Sequence, residues 1–423
     1  LDRAYTGLVF GLSARIHVLV QDFQPTTAGV QLSEIVVRSP QFKDAVWSYG
    51  FYLAEEDGGM EVTQIESSPA ISSSSRNLFI ETALSYALTY ITSVLPSQNI
   101  KPSSVTILAD NDYYSQPNKS TSNSSKPTSF TSYGIPITQV HKTGLGSSAA
   151  LVTAFTGAIL SHYLPPSLFN PSTPAGLSML HNLSQASHCA AQGKIGSGFD
   201  VAAAVYGSCI YRRFSPRILE NVGVAGERGF ASRVKIVVEE AWDVEVAKEG
   251  VQVPAGYALR MCDVDCGSQT VSMVRQVLAW RKEDGEGSKR IWDQLQASNE
   301  ALAAALSSSA PSVEEIAGAF AAIREKIREM GSRSSVPIEP PEQTSLLDAL
   351  TEVDGVVGGV VPGAGGYDAV CLLVKDDEET TRRLETVLEK WTKDKGGSVK
   401  LLGTRGETQG VKVEDKSRYT ELF

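Results

Sequence analysis

Lys142-Thr-Gly-Leu-Gly-Ser-Ser-Ala-Ala150 is a glycine-flanked turn that runs into two serines and on into Ala149-Ala-Leu-Val-Thr-Ala-Phe155. Glycines at 144 and 146 let a backbone approach an anion with no Cβ in the way. A helix beginning at the serines presents unpaired N–H groups and a positive dipole end to that anion. Ser147 and Ser148 add hydroxyls for phosphate oxygens or Mg²⁺. A plain helix N-cap accounts for the same residues without a ligand. The stretch is not a GxxxxGK[ST] loop, nor the GxGxxG turn that follows a strand. Its meaning depends on what else the chain carries.

Two further stretches have the same make-up: Gly193-Lys-Ile-Gly-Ser-Gly-Phe-Asp200 and Pro362-Gly-Ala-Gly-Gly-Tyr-Asp368. Each supplies the small residues a backbone needs to pass close to phosphate, and each ends in an acidic residue. Three such loops are more than turns alone require.

Composition sets the frame. The chain has 423 residues, 42% apolar and 20% charged, which is that of a globular protein with room for two cores. No apolar run approaches the ~18 residues of a membrane span. A net charge of −10 argues against a nucleic-acid surface and leaves room for a local basic pocket. Cysteines at 189, 209, 262, 266 and 371, odd in number and scattered, read as free thiols of a reducing compartment. A cytoplasmic protein, monomer or homodimer, is expected. The first residue is Leu1, not Met, and the chain is expected to begin inside a longer reading frame.

The patterns alternate between strand and helix. Gly7–Val20 and Ile35–Tyr52 read as strands closed by Asp57-Gly-Gly59, and Asn77–Ser93 as a helix that Pro96 stops. Val105–Ala109 is a short buried strand, Ser115–Ser132 a polar loop, and helices follow at Ser148–Tyr163 and Pro174–Gln192. Ala202–Arg213, Val234–Glu239, Tyr257–Val264, Ala369–Val374 and Val399–Leu402 read as strand-rich. Ser312 and Glu315 form a capping box for a helix striped with Ile316, Phe320, Ile323, Ile327 and Met330 and ended by Gly331. Another helix spans Glu378–Lys393. The composition shift at Phe214–Gly229 suggests domains of residues 1–215 and 216–423 in an α+β fold.

With these loops in place the chain resembles the GHMP kinases and, within them, the fungal-type phosphomevalonate kinases. Gly144–Ala149 matches the family's Gly-Leu-Gly-Ser-Ser-Ala loop, Gly363–Gly366 its Gly-Ala-Gly-Gly loop, and Gly193–Phe214 the segment that separates this branch from its siblings. The family's first motif is expected just ahead of Leu1. The resemblance implies a ribosomal protein S5 domain 2-like first domain that binds ATP and a ferredoxin-like second domain. It implies transfer of the γ-phosphate of ATP to phosphomevalonate in isoprenoid and sterol synthesis, with Mg²⁺ near Ser147 and Ser148.

On that reading Gly144, Leu145, Gly146, Ser147, Ser148, Ala149, Gly363, Gly365 and Gly366 hold ATP phosphates, and Lys142, Lys194 and Asp200 are catalytic. Ser13, Arg15, His141, Ser197, Arg212, Arg213, Ser268 and Thr270 contact the acceptor. A phosphate-monoester acceptor is largely dianionic at pH 7, with a second pKa of about 6, so Asp200 is expected to orient Lys194 or the metal rather than act as an obligatory base. Mevalonate kinases offer Mg²⁺ a glutamate eleven residues before that aspartate; here the position is Cys189, flanked by His188 and near Gln192. A kinase of mevalonate or another small alcohol, and a non-catalytic sensing module on the same fold, are the alternatives.

Overall fold

A computed structural model of the chain describes residues 3–23, 34–65, 76–96, 99–115, 130–264, 270–417 and 419. The expected loop at 115–132 falls largely outside them. The first half opens with β1 (Thr6–Val9), β2 (Gly11–Leu12), β3 (Ile16–Asp22), β4 (Glu34–Arg38), β5 (Val46–Ala54) and β6 (Gly59–Ile65). Helix α1 (Leu78–Val94) starts where the Asn77 side chain accepts from the Ile80 N–H, and its Ala83, Leu84, Ala87, Leu88 and Ile91 are buried at helical spacing. β7 (Ser103–Ala109) completes a five-stranded sheet in the order β3-β7-β4-β5-β6, in which only β4 and β7 run parallel.

Helices α2 (Ser147–Tyr163), α3 (Pro174–Gln192) and α4 (Phe199–Tyr206) follow, then β8 (Cys209–Arg212), α5 (Phe230–Glu239) and β9 (Glu245–Ala247). Ile35, Tyr49, Leu84, Leu88, Phe155 and Ile159 are fully buried between the sheet and this helical layer. β1, β8 and β9 form a small separate sheet.

Two segments that read as strand-rich are helices. Ala202–Tyr206 belongs to α4, which starts at left-handed Gly198 and stops at Gly207, leaving only Cys209–Arg212 as strand. Val234–Glu239 belongs to α5, where Phe230, Val234, Val237 and Val238 are buried at a 3.6-residue period that outweighs β propensity. The same residues, with Leu219 and Val222, sit in the first core, so the segment just beyond residue 215 packs with the first half.

The second half contains β10 (Tyr257–Val264), α6 (Thr270–Glu283), α7 (Gly285–Leu306), α8 (Val313–Ser334), α9 (Pro341–Thr351), β11 (Val356–Val360), β12 (Ala369–Lys375), α10 (Glu378–Lys395) and β13 (Val399–Glu407). Its sheet has the order β11-β12-β10-β13-β2, so the first half contributes an edge strand. Ser312 caps α8 as expected, accepting from the Glu315 N–H at 3.2 Å, while the carboxylate it meets is that of Glu314. Gly331 lies inside α8, which continues to Ser334 and ends at left-handed Ser335. A Cβ at Gly331 would lie 2.8 Å from the Val336 carbonyl oxygen, so glycine there serves the returning chain.

Candidate active site

The loop before α2 adopts the backbone that its glycines permit. Gly144 and Gly146 have φ of +71° and +73°, left-handed values that side chains with a Cβ rarely take. Gly146 is the N-cap of α2 and offers no side chain to its first-turn N–H groups, which stay available to an outside acceptor. Two carboxylate-bearing residues face this turn. A Cβ on Gly144 would lie 3.8 Å from the Cβ of Asp368, and one on Gly146 would lie 4.0 Å from that of Asp200.

The segment carrying Lys194 and Asp200 is braced from β8 and its end. The Tyr211 hydroxyl donates to the Ser197 carbonyl at 2.9 Å, and the Arg213 guanidinium donates to that of Ile195 at 3.1 Å. Gly198 turns with φ +82°, in a space where a Cβ would come within 2.6 Å of Gln185 Oε1. Asp200 then falls in the first turn of α4, where the helix dipole favours a negative charge.

Behind the serines, Ser148 Oγ and Gln192 Nε2 each lie 3.1 Å from His188 Nε2, and the ring stacks on Phe79. Burial lowers the His188 pKa, the attraction of Asp200 opposing that fall and Lys194 reinforcing it. Cys189 turns the other way into the core and accepts from Gln185 Nε2, so the face of α3 toward the loop is made by His188 and Gln192.

The third loop closes the arrangement. Gly363, Gly365 and Gly366 have φ of +68°, +82° and +108°. A Cβ on Gly363 would lie 3.9 Å from the Phe199 ring, and one on Gly366 would lie 3.7 Å from the Met273 sulfur on α6. A cleft of about 1930 Å³ between the halves is lined by Gly144, Gly146, Lys194, Asp200, Gly363 and Asp368. A second hollow of about 80 Å³ lies against the turn, lined by Trp47, Phe79, Ile137, Lys142, Ser147 and Ser148.

Comparison with known proteins agrees with this architecture. The family model described as GHMP kinases N terminal domain matches residues 128–208, and that described as GHMP kinases C terminal matches residues 300–396. The chain is 55% identical to the phosphomevalonate kinase of Gibberella zeae over 99% of its own length and 94% of that protein's. It is 46% identical to that of Aspergillus fumigatus, with the same two coverages of 99% and 94%. The chain belongs to the GHMP kinase family, in its phosphomevalonate kinase branch. Among solved structures, the Lin0012 protein from Listeria innocua shares the fold with a TM-score of 0.69 at 18% identity, covering 96% of this chain and 93% of that one.

In this GHMP kinase the expected site residues divide into three groups. Gly144, Leu145, Gly146, Lys194, Ser197, Asp200, Arg213, Gly363 and Gly365 line the large cleft. Lys142, Ser147 and Ser148 line the small hollow, Ala149 is buried beneath the turn, and Gly366 lies behind its loop. Others are placed elsewhere or have other partners. Ser13 accepts from the Arg405 N–H at 3.0 Å and fastens β13. Arg15 reaches the cleft wall, but its guanidinium donates to the carbonyls of Gly410 and Gln409 at 2.5 and 2.9 Å. His141 is exposed away from both hollows, its carbonyl accepting from Ser115. Arg212 pairs with Glu245 at 2.9 Å on the outer face of β8. Ser268 lies outside the described residues, and Thr270 opens α6 with its side chain outside them.

Asp368 and the α6 side chains Met273 and Arg275 are functional candidates that residue patterns did not single out, and His188 was named only as the neighbour of Cys189. For Asp368 a signal existed: it ends its glycine loop as Asp200 ends the other. The α6 residues reach the cleft through tertiary packing alone.

Proposed function

We propose that this chain transfers the γ-phosphoryl group of ATP to 5-phosphomevalonate, giving 5-diphosphomevalonate and ADP. The observation that carries the reading is the convergence of three glycine loops and two aspartates on one cleft; the relatives' activity supplies the acceptor. An oxygen of the acceptor phosphate forms the new bond to the γ-phosphorus, the bond from that phosphorus to the β–γ bridging oxygen breaks, and ADP leaves with the electron pair. The acceptor is already largely dianionic at pH 7, given a second pKa of about 6, so positioning and charge neutralisation dominate.

The residues have separable roles. Backbone N–H groups at the start of α2 hold phosphate oxygens. Lys194 with Arg213 balances charge in the cleft. The Ser147 hydroxyl and the Asp200 carboxylate are hard oxygen donors of the kind Mg²⁺ takes and would hold that ion. When bound, that ion neutralises charge on the transferred group. Ser148 is the weaker ligand because its hydroxyl is engaged by His188. Asp200 would orient Lys194 or the metal, and a cytoplasmic location fits the composition.

Coupled ADP release with phosphomevalonate and with mevalonate, using the full-length protein, tests the reading. Turnover on phosphomevalonate is expected to exceed that on mevalonate; activity on neither acceptor would falsify the proposal. Asp200→Asn is expected to lower kcat by at least a hundredfold with the pH profile unchanged in shape. Disappearance of an ionisation from that profile would restore Asp200 as a base.

A further inference from the structure

The glycine loop at 363–366 meets the cleft on one side and rests on a buried polar assembly on the other. Its Gly366 N–H donates to the Ile338 carbonyl at 2.9 Å. A Cβ on Gly365 would come within 2.4 Å of that same oxygen, so loop and strut are in direct backbone contact. One residue on, the Tyr367 carbonyl accepts from Gln343 Nε2 at 2.8 Å, and Gln343 is itself only 2% exposed.

The strut is fixed by a carboxylate with no exposed surface. Glu339 accepts from Arg324 Nε and Nη2 at 3.1 and 2.8 Å, from Arg328 Nη1 at 3.0 Å and from Thr344 Oγ1 at 3.1 Å. Arg324 also reaches Asp348 at 2.8 Å, so two guanidiniums meet two carboxylates and the group is neutral as a whole. A buried pair of this kind adds little net stability over apolar packing, and what it supplies is a fixed geometry. Here that geometry joins α8 to the start of α9 across Ile338.

We propose that Glu339 and Gln343 are positioning residues for phosphoryl transfer: through Ile338 and Tyr367 they hold the Gly363–Gly366 loop against Phe199. The assignment rests on the kinase reading above. Neither side chain lines the cleft, so both act through the backbone they hold. A displacement of about 1 Å in a loop that aligns reacting groups costs as much as a hundredfold in rate.

Gln343→Met keeps the volume and removes the donor; Glu339→Gln keeps the shape and removes the charge. For each, hydrogen exchange of the 363–367 backbone and steady-state kinetics with ATP and phosphomevalonate are measured on folded protein. The expected result is faster exchange at Gly366 with kcat lowered at least tenfold and both KM values within threefold of wild type. A merely structural role moves the melting temperature and leaves kcat per folded molecule in place. Should Glu339→Gln fail to fold, Gln343→Met carries the test, since it frees a single carbonyl. Unchanged exchange at Gly366, or kcat within threefold of wild type, overturns the assignment. Wild-type protein inactive on phosphomevalonate overturns the functional reading instead, and the exchange measurement still decides whether Gln343 holds the loop.

Discussion

Gly146 concentrates the residue-scale argument, because backbone and site make the same demand there. Its φ of +73° costs a residue with a Cβ about 1–2 kcal/mol. An added methyl would also stand 4.0 Å from the Cβ of Asp200, inside the space proposed for phosphate. Gly146→Ala is therefore expected to lower kcat/KM for ATP at least tenfold, read by coupled ADP release. Activity within twofold of wild type would remove the turn from the phosphate site. This glycine was legible in the sequence because only a few residue types tolerate such backbone. Arg212 and Arg213 were not separable in that way. Arg212 is the last residue of β8, and the register of β8 against β9 sets it opposite Glu245, while Arg213 lies just past the strand end and reaches the Ile195 carbonyl. Register is a property of two strands, and no local pattern carries it.

At the scale of elements, α3 is a helix whose buried face contains an ionisable ring. His181 is fully buried between Tyr206 and Trp242, with Nδ1 3.2 Å from Asn182 Oδ1, and burial lowers its pKa to about 4. In the unfolded chain the ring protonates near 6.5. The unfolded state thus takes up a proton first, and stability present above pH 6.5 drains away as pH falls toward 4, with about 2 kcal/mol lost by pH 5. Urea unfolding of wild type and His181→Gln at pH 7 and pH 5 checks this; the variant is expected to lose less on acidification, and equal losses would assign the acid sensitivity elsewhere. Capping signals and 3.6-residue stripes make α1 and α8 readable from the amino-acid order alone. The stretch Val234-Lys-Ile-Val-Val-Glu239 misleads as a strand because its valines are also the buried stripe of α5 while Ile236 is exposed, and Phe230 four residues before Val234 supplies the helical phase.

On the scale of the whole molecule the two halves are laced together by both ends of the chain. β2 from the start of the sequence edges the second sheet, and the segment after β13 returns to the first half, where the Val411 N–H donates to the Val205 carbonyl at 3.2 Å. Composition placed the division at residue 215, yet a polar loop marks a surface and not necessarily a boundary, and α5 beyond it packs in the first core. The crossing point is tight. At Gly207, with φ +81°, a Cβ would sit 2.2 Å from the Thr408 carbonyl oxygen, and at Gly410 one would sit 2.2 Å from that of Val205. Arg15 grips the carbonyls of Gln409 and Gly410 beside the cleft, so the same crossing sets how the two walls face each other. Gly207→Ala adds about 1–3 kcal/mol for a backbone (φ +81°, ψ −148°) that is nearly glycine-only and about 1–3 kcal/mol for forcing packed chain apart. Its urea midpoint is expected to drop accordingly, and kcat to fall even in the folded protein because the loops at 144–148 and 363–366 approach from opposite walls. If Gly207→Ala loses stability while keeping wild-type kcat, the crossing holds the molecule together without aligning its site.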